Sequence, residues 1–455
     1  MSFEPLNRRP FRSALFRLPR PSVPVVPYCR VFYQISTVLC SFYFKYGLFR
    51  RAPKKVSRAF AASVIIRPMR INRVEVVTVS ASHATVFWRA NAPADIAASC
   101  RAASGGGSAG SAVDSVNGRH FRAVFSGLES DTAYKFQLSL NDRILHSGEF
   151  KTLRPAPGDF VFRFATVNDI HIGEKIYGLI FLPGLNLFPV TPGLKLDIDG
   201  EPFWKYTNET AINELNKLDL DFVIVKGDVV TDHTEANIRT AKEMLDTLRH
   251  PYRVLRGNHD RAASPKTDFF IKAFPAATEI QSFEHKGRGF ILIDDIHPDT
   301  GNTRFSPRTI DLFKSEMMKM RDIPAFVFAH NPPLRKFERA PDNRISDFLD
   351  IIDEHPAVAG VFCGHTHGNK VAIRKSRGKQ VPFVETAAPM DYPGGFNIYD
   401  VHTDGYVQTC VRPFCAKSAR WYEMCEKAYY GLAASGLFGD ISDRNFVRSV
   451  PITIR

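Results

Sequence analysis

The stretch YRVLRGNHD, residues 252–260, decides how this chain folds. A run of strand length stops at Gly257, and Asn258, His259 and Asp260 follow at once. The same arrangement recurs along two hundred residues. FVFRFATV (160–167) ends in Asn168-Asp169-Ile170-His171, and FVIVK (222–226) ends in Gly227-Asp228. AFVFA (325–329) ends in His330, and VAGVF (358–362) ends, through Cys363, in Gly364-His365-Thr366-His367. Between these runs lie helical patterns. Ile238, Ala241, Leu245 and Leu248 mark one apolar stripe, and Ile345, Phe348, Leu349 and Ile352 mark another. Ser306-Pro307 is a helix start, with serine as cap and proline at the first helical position. Strands alternating with helices predict an α/β layer structure from about residue 159 to 411.

In open α/β sheets a ligand site lies beyond the carboxyl ends of the strands, so these five termini should converge. Two aspartates, an asparagine and four histidines are too many hard and borderline donors for one ion. They suit two cations roughly 3.5–4 Å apart, with one aspartate bridging. Mixed nitrogen and oxygen ligation favours Mn, Fe, Zn or Co over Ca or Mg, as divalent or trivalent ions. Gly227, Gly257 and Gly364 precede ligands, where a missing side chain permits a sharp turn and close backbone approach. A single piece carries little weight, because Asp-x-His recurs at Asp295-Ile296-His297 and at Asp353-Glu354-His355. Gly-Asn-His-Asp and His-x-His occur once each, and all five pieces follow strands in one order.

D-x-H, G-D, G-N-H-D, a lone H and G-H-x-H in that order resemble the calcineurin-like metallophosphoesterase superfamily over roughly residues 160–400. The resemblance implies a four-layer α-β-β-α sandwich with a dinuclear site at the sheet edges. One ion would be held by Asp169, His171, Asp228 and His367, the other by Asp228, Asn258, His330 and His365. His259 would be the catalytic histidine. Asp232 is a candidate to orient it, one position later than the family's usual partner. The chain departs from two branches. Purple acid phosphatases carry a ligating tyrosine and a D-x-G where Thr231 and His171 stand here. Phosphoprotein phosphatases continue G-D-x-x-D-R-G, whereas this chain reads on to Thr231, Asp232 and His233. What remains is similar to the cyclic-nucleotide-phosphodiesterase-like branch.

The function so implied is hydrolysis of phosphoric esters, most of all phosphodiesters, in a small phosphorylated substrate. Two cations sharing a water give a bridging hydroxide for in-line attack, and His259 protonates or stabilises the leaving oxygen. Alternatives are a phosphomonoesterase or pyrophosphatase of the same fold, and a non-catalytic binding or assembly module. Arg256 and Arg261 flank the third motif and are candidates to touch phosphate or to be plain surface residues. His233 and His297 read as ordinary surface or core histidines. The segment 174–206, rich in aromatics, proline and glycine, leaves directly from the first motif and is either a wall or lid of the pocket that selects the substrate or an ordinary packed insertion.

Outside this unit the chain divides further. Residues 1–74 carry fifteen Arg and Lys and one acid, so the remaining 45 basic and 46 acidic residues leave the body near neutrality. Nucleic-acid binding by the body is therefore not expected. The basic leader, residues 1–70, reads as a targeting signal or as a non-native or disordered extension. A start near Met69 implies a cytoplasmic protein, and a native leader implies targeting. Its apolar run Val31–Phe49 is broken by Gln34 and Lys45, so no membrane span is expected. Residues 71–153 show short β-rich runs. Trp88, Gly127, Leu128, Thr132 and Tyr134 resemble a fibronectin type III domain, with Tyr134 as its tyrosine corner. KTLRPAPGD (151–159) is the linker. Residues 412–455 are expected to form a helical extension, with 416–436 as one amphipathic helix. Cys410, Cys415 and Cys425 lack the paired spacing of a zinc site, and a disulfide among them stays open. Oligomeric state is not legible.

Overall fold

The computed structural model describes residues 68–450, apart from 106–108, 179–180, 183–184, 190–192, 263 and 336–338. Residues 1–67 of the leader, with its apolar run, lie outside the described residues. The first unit comprises β1 (Ile71–Val79), β2 (His83–Ala90), β3 (Ala97–Ala102), β4 (Gly110–Val116), β5 (His120–Ser126), β6 (Ala133–Leu140) and β7 (Arg143–Lys151). They form a sandwich of one sheet ordered β1-β2-β5-β4 and another ordered β3-β6-β7. Alternation fills the interior: Trp88 stacks on Phe121 at 5.2 Å, and Tyr134, Phe136 and Leu138 point inward from β6. The Tyr134 hydroxyl accepts the amide of Glu129 at 2.8 Å, which ties the β5–β6 corner. Strand β2 is buried on both faces. Val86 and Trp88 face the sandwich core, and Phe87 packs outward on Phe414 and Cys410 of the second unit.

That second unit is built on two sheets. The first takes β8 (Phe160–Val167), β11 (Phe222–Lys226), β12 (Tyr252–Leu255), β19 (Phe396–His402), β20 (Gly405–Val411) and β21 (Phe446–Ser449), ordered β12-β11-β8-β19-β20-β21. The second takes β13 (Ile280–His285), β14 (Arg288–Ile293), β15 (Ala325–Phe328), β16 (Val358–Cys363), β17 (Lys370–Ser376) and β18 (Lys379–Glu385), ordered β13-β14-β15-β16-β18-β17. A short hairpin, β9 (Phe181–Leu182) with β10 (Leu185–Pro189), stands apart. Strands β8, β11 and β12 run parallel, as do β14, β15, β16 and β18. Phe162, Phe164 and Phe222 of one sheet meet Phe290, Phe326 and Phe362 of the other in a buried aromatic layer. Each such ring contributes about 2–3 kcal/mol by leaving water.

Helices cover the outer faces. Phe203–Leu215 and Glu235–Leu245 pack on the first sheet, Pro307–Lys319 and Ile345–Glu354 on the second. The Ser306 hydroxyl accepts the amide of Thr309 and caps the helix that Pro307 opens, as the sequence predicts. Leu248 lies just past the end of its helix. The layers run helix, sheet, sheet, helix: the α/β metallophosphoesterase sandwich. Among the described residues no helix is long and apolar enough to cross a membrane.

The C-terminal region departs from expectation. Helix Ala416–Cys425 stops early, because Tyr429 and Tyr430 take left-handed backbone angles (φ 51° and 58°) that no α-helix accommodates. Short helices Ala434–Phe438 and Ile441–Arg444 follow, and β21 then adds an antiparallel strand to β20. The region is not simply helical; its end completes a sheet. Cys410, Cys415 and Cys425 are free thiols. Arg444, almost fully buried, donates to the carbonyl of Val76 at 2.8 Å and to those of Phe438 and Gly439 at 2.7 Å, which joins this region to β1.

Candidate metal centre

Every predicted ligand sits on a turn at the carboxyl end of a parallel strand: β8, β11, β12, β15 or β16. The structure brings these turns to one place. Donor atoms of Asp169, His171 and His367 lie within 4.8 Å of one another, and so do those of Asp228, His330 and His365. Oδ2 of Asp228 is 3.2 Å from Nε2 of His330 and 3.6 Å from Nε2 of His171, so it faces both groups. Oδ1 of Asn258 stands 3.0 Å from Nε2 of His330 and 2.9 Å from Nδ1 of His365. A third group joins His171 and Asp228 to His259.

The local backbone explains why these residues stand where they do. Asp169, His171, Asp228, His365 and His367 all adopt left-handed φ between 43° and 68°. Such angles cost free energy in residues with a side chain, and they persist where surrounding contacts over-determine them. Those contacts are present. Asp228 accepts the amide of His259 at 2.8 Å through Oδ1, and Asp169 accepts the amide of His365 at 2.9 Å through Oδ2. Gly227 supplies φ 84°, and a Cβ there would meet the amide of Gly257 and the ring of His330 at 2.7 Å.

A metal ion fits this donor set. Nε2 of His171 is buried with no hydrogen-bond partner and is aimed at Asp169 and Asp228. Burial pushes that imidazole down to about 3, which keeps it neutral and able to donate its lone pair. Burial would lower His330 too, but Asp228 and Asp169 raise it to about 10. Burial would raise the two aspartates, yet His367 holds Asp169, and His330 holds Asp228, well below the usual carboxylate range. Two buried carboxylates facing imidazole nitrogens make a pocket that calls for positive charge.

Several supporting groups escaped the sequence reading. Nδ1 of His367 donates to Asp391 at 2.8 Å, and Nδ1 of His330 donates to the carbonyl of Lys226 at 2.8 Å. Each contact leaves Nε2 to face the site. Asp260 accepts the amides of Val230 at 3.1 Å and Gly257 at 2.8 Å, stapling two ligand turns together. Burial, with Asp228 nearby, pushes Asp260 up to about 7. Asp295, from the repeated Asp-x-His, is in none of these donor groups; it accepts the amides of His330 at 3.0 Å and Asn331 at 3.1 Å. Beneath the site, Lys226 donates to Thr386, Thr386 to Asn168, and Asn168 to Asp169.

His259 is exposed at the rim, and its Nδ1 donates to the carbonyl of Thr231 at 2.8 Å. Asp232 does not orient it. The Asp232 side chain is exposed, and its carbonyl accepts from Thr234 and Asn237, so the backbone one residue earlier fills that role. Arg256 turns away from the site to Asp268 and Asp294, at 2.6 and 3.2 Å. Arg261 donates to the carbonyl of Asn258 at 3.3 Å. His233 packs by Asp268 and Phe269, and His297 caps its own turn. Glu174, Ile176, Tyr177 and Gly178, from the start of the 174–206 segment, line the cavity over the centre. Met390 and Tyr429 complete that wall, and the cavity measures about 460 Å³.

Residues 162–369 match the family of calcineurin-like phosphoesterases. A glycerophosphodiester phosphodiesterase GpdQ of Enterobacter lignolyticus is 25% identical over 174 residues, covering 35% of this chain and 61% of its own. A 3′,5′-cyclic-nucleotide phosphodiesterase of Nostoc sp. is 26% identical over 170 residues, covering 35% of this chain and 63% of its own. The chain thus spans less than two thirds of the length of these curated relatives. A dimetal phosphatase structure from Danio rerio is 14% identical, with TM-score 0.44, over 56% of this chain and 98% of its own. Motif order, layer architecture and the family match agree: residues 162–369 of this chain match the calcineurin-like phosphoesterase domain, and phosphodiesterases are among the proteins the chain is similar to.

Proposed function

We propose that this chain is a dinuclear metal-dependent phosphodiesterase. One observation carries the reading: the Asp228 carboxylate is shared by two convergent donor groups at the floor of a single cavity. Asp169, His171, His367 and Asp228 would hold one cation, and Asp228, Asn258, His330 and His365 the other. Bound cations supply Lewis-acid activation of water and of the phosphoryl group. The chain's own residues do the rest. His259 gives Nδ1–H to the Thr231 carbonyl, so Nε2 is the atom that passes a proton to the leaving oxygen. Ile176, Tyr177, Met390 and Tyr429 exclude water from one side of the cavity and offer apolar contact to the leaving group.

The lining also favours diesters over monoesters. Among the described residues that line the cavity none is Lys or Arg, and Glu174 is acidic. A dianionic monoester or a pyrophosphate would find no cationic side chain for its extra charge, whereas a diester carries one negative charge. The sandwich of residues 71–151 fits the group that includes immunoglobulin and fibronectin type III domains, supported by the Tyr134 corner. The test is a Mn2+-loaded chain given an aryl phosphodiester, the matching aryl monoester, and cyclic AMP. A higher kcat/KM for the aryl diester than for the monoester is expected. Preference for the monoester overturns the diester reading, and uptake of metal without any turnover returns the chain to a binding module.

A further inference from the structure

The loop Pro389–Tyr392, between β18 and β19, supports the metal centre from behind. Its Asp391 accepts Nδ1–H of His367, and its Met390 lines the cavity. Several side chains from beyond residues 162–369 hydrogen-bond this loop. Nε1 of Trp421 donates to the Met390 carbonyl at 2.8 Å, and the Tyr422 hydroxyl donates to the Pro389 carbonyl at 2.7 Å. Another is Glu75 of the β-sandwich, whose Oε1 accepts the Tyr392 hydroxyl at 2.6 Å.

We propose that the β-sandwich is a positioning element of the metal centre: Glu75, through Tyr392, fixes the loop that sets Asp391 behind His367. The inference rests on the reading of His367 as a metal ligand. Asp391 and Tyr392 are consecutive and essentially fully buried, one bonded to the ligand and the other to the sandwich, so a shift of Tyr392 passes to Asp391 through one peptide. The far end is firmly anchored. Arg412 bonds Oε2 of Glu75 at 2.6 Å, Arg73 bonds Oε1 at 2.7 Å, and Arg73 also donates to the Tyr392 hydroxyl. Arg89 of β2 reaches Glu426 at 2.8 Å, so the sandwich also grips the end of the helix that carries Trp421 and Tyr422. A ligating imidazole needs its second nitrogen fixed to hold a cation tightly. The second donor group is anchored elsewhere, since His330 is set by the carbonyl of Lys226 in β11. The sandwich therefore acts on one ion and not the other.

The experiment is calorimetric titration of the metal-free full chain with Mn2+, comparing wild type with Tyr392→Phe, which removes one hydroxyl and keeps the ring. Near-ultraviolet circular dichroism and the melting temperature establish that the variant is folded. One equivalent of Mn2+ should bind about 10-fold more weakly, with the other within twofold of wild type. Asp391→Asn should weaken the same equivalent. Two equivalents at wild-type affinity overturn the proposal, and so does equal weakening of both, the mark of general loosening. If Tyr392→Phe does not fold, Glu75→Gln is judged by the same criteria. A wild-type chain that takes up no Mn2+ overturns the proposed function instead.

Discussion

Oδ2 of Asp228 faces Nε2 of His330 at 3.2 Å, and both groups are buried. This pair joins the turn after β11 to the turn after β15, and the same oxygen faces Nε2 of His171 at 3.6 Å. Asp228→Asn keeps the shape and removes the shared charge. Metal content measured by mass spectrometry should fall from two equivalents to one or fewer, and turnover should drop on the order of 10³-fold. A variant that keeps two ions and normal turnover contradicts the shared-carboxylate reading.

His259 separates two roles. As the proton-transfer group its loss leaves both ions in place, and His259→Ala should lower kcat by about 10²- to 10⁴-fold at unchanged metal content. His259 also stands within ligand reach of His171 and Asp228. A fall in metal content in this variant would move it into the ligand set.

Gly257 has no room for a side chain. An added Cβ would overlap the amide nitrogen and Oδ1 of Asp228, both part of the ligand turn. Gly257→Ala must push that turn away, which costs about 1–3 kcal/mol or more. A lower melting temperature together with weaker Mn2+ binding is expected. Unchanged metal affinity would show that the turn yields without moving Asp228.

The convergent donor turns were legible because each is short and local: a strand, often a glycine, then donors. Asp260 was visible inside Gly-Asn-His-Asp, but its stapling of Gly257 to Val230 needs the fold. Asp391 was not legible at all. It lies in AAPMDYPGG, which carries no chemical pattern, and only the return of that loop against His367 gives it a role. Asp232 misled for a related reason. The partner of His259 is a backbone carbonyl, and side-chain motifs do not reveal backbone acceptors. The early end of helix Ala416–Cys425 was hidden likewise, because tyrosines at 429 and 430 carry no turn signal, yet the fold holds both at left-handed angles.

Glu75 should make stability depend on pH. Burial alone would raise this carboxyl, but Arg412, the Tyr392 hydroxyl and Arg73 bring it from 4.5 down to about 2. A carboxylate held lower in the folded state stabilises fully above its unfolded value and loses that contribution as pH falls through the folded one. The shift corresponds to about 3 kcal/mol. Glu75→Gln should therefore be less stable than wild type near pH 7, and the gap should close between about pH 4.5 and 2. A gap that is flat with pH would assign the loss to packing rather than charge.

Tyr429 offers a sharper test of the cavity wall. Its ring meets Tyr177 edge-on at 6.1 Å, and both line the space over the candidate metal centre. The residue pays for that position with a left-handed backbone (φ 51°, ψ 35°), which costs a side-chain-bearing residue roughly 1–2 kcal/mol. Tyr429→Gly removes the ring and the strain together. Lost packing and released strain offset each other, so the melting temperature should stay close to wild type. The aryl diester, however, loses an aromatic wall, and its KM should rise about 5- to 10-fold, the equivalent of roughly 1 kcal/mol of contact. Metal content should not change, since Tyr429 is not among the donor atoms. A residue kept only for packing would behave the other way, with a lower melting temperature and an unmoved KM. That outcome would remove Tyr429 from the substrate site.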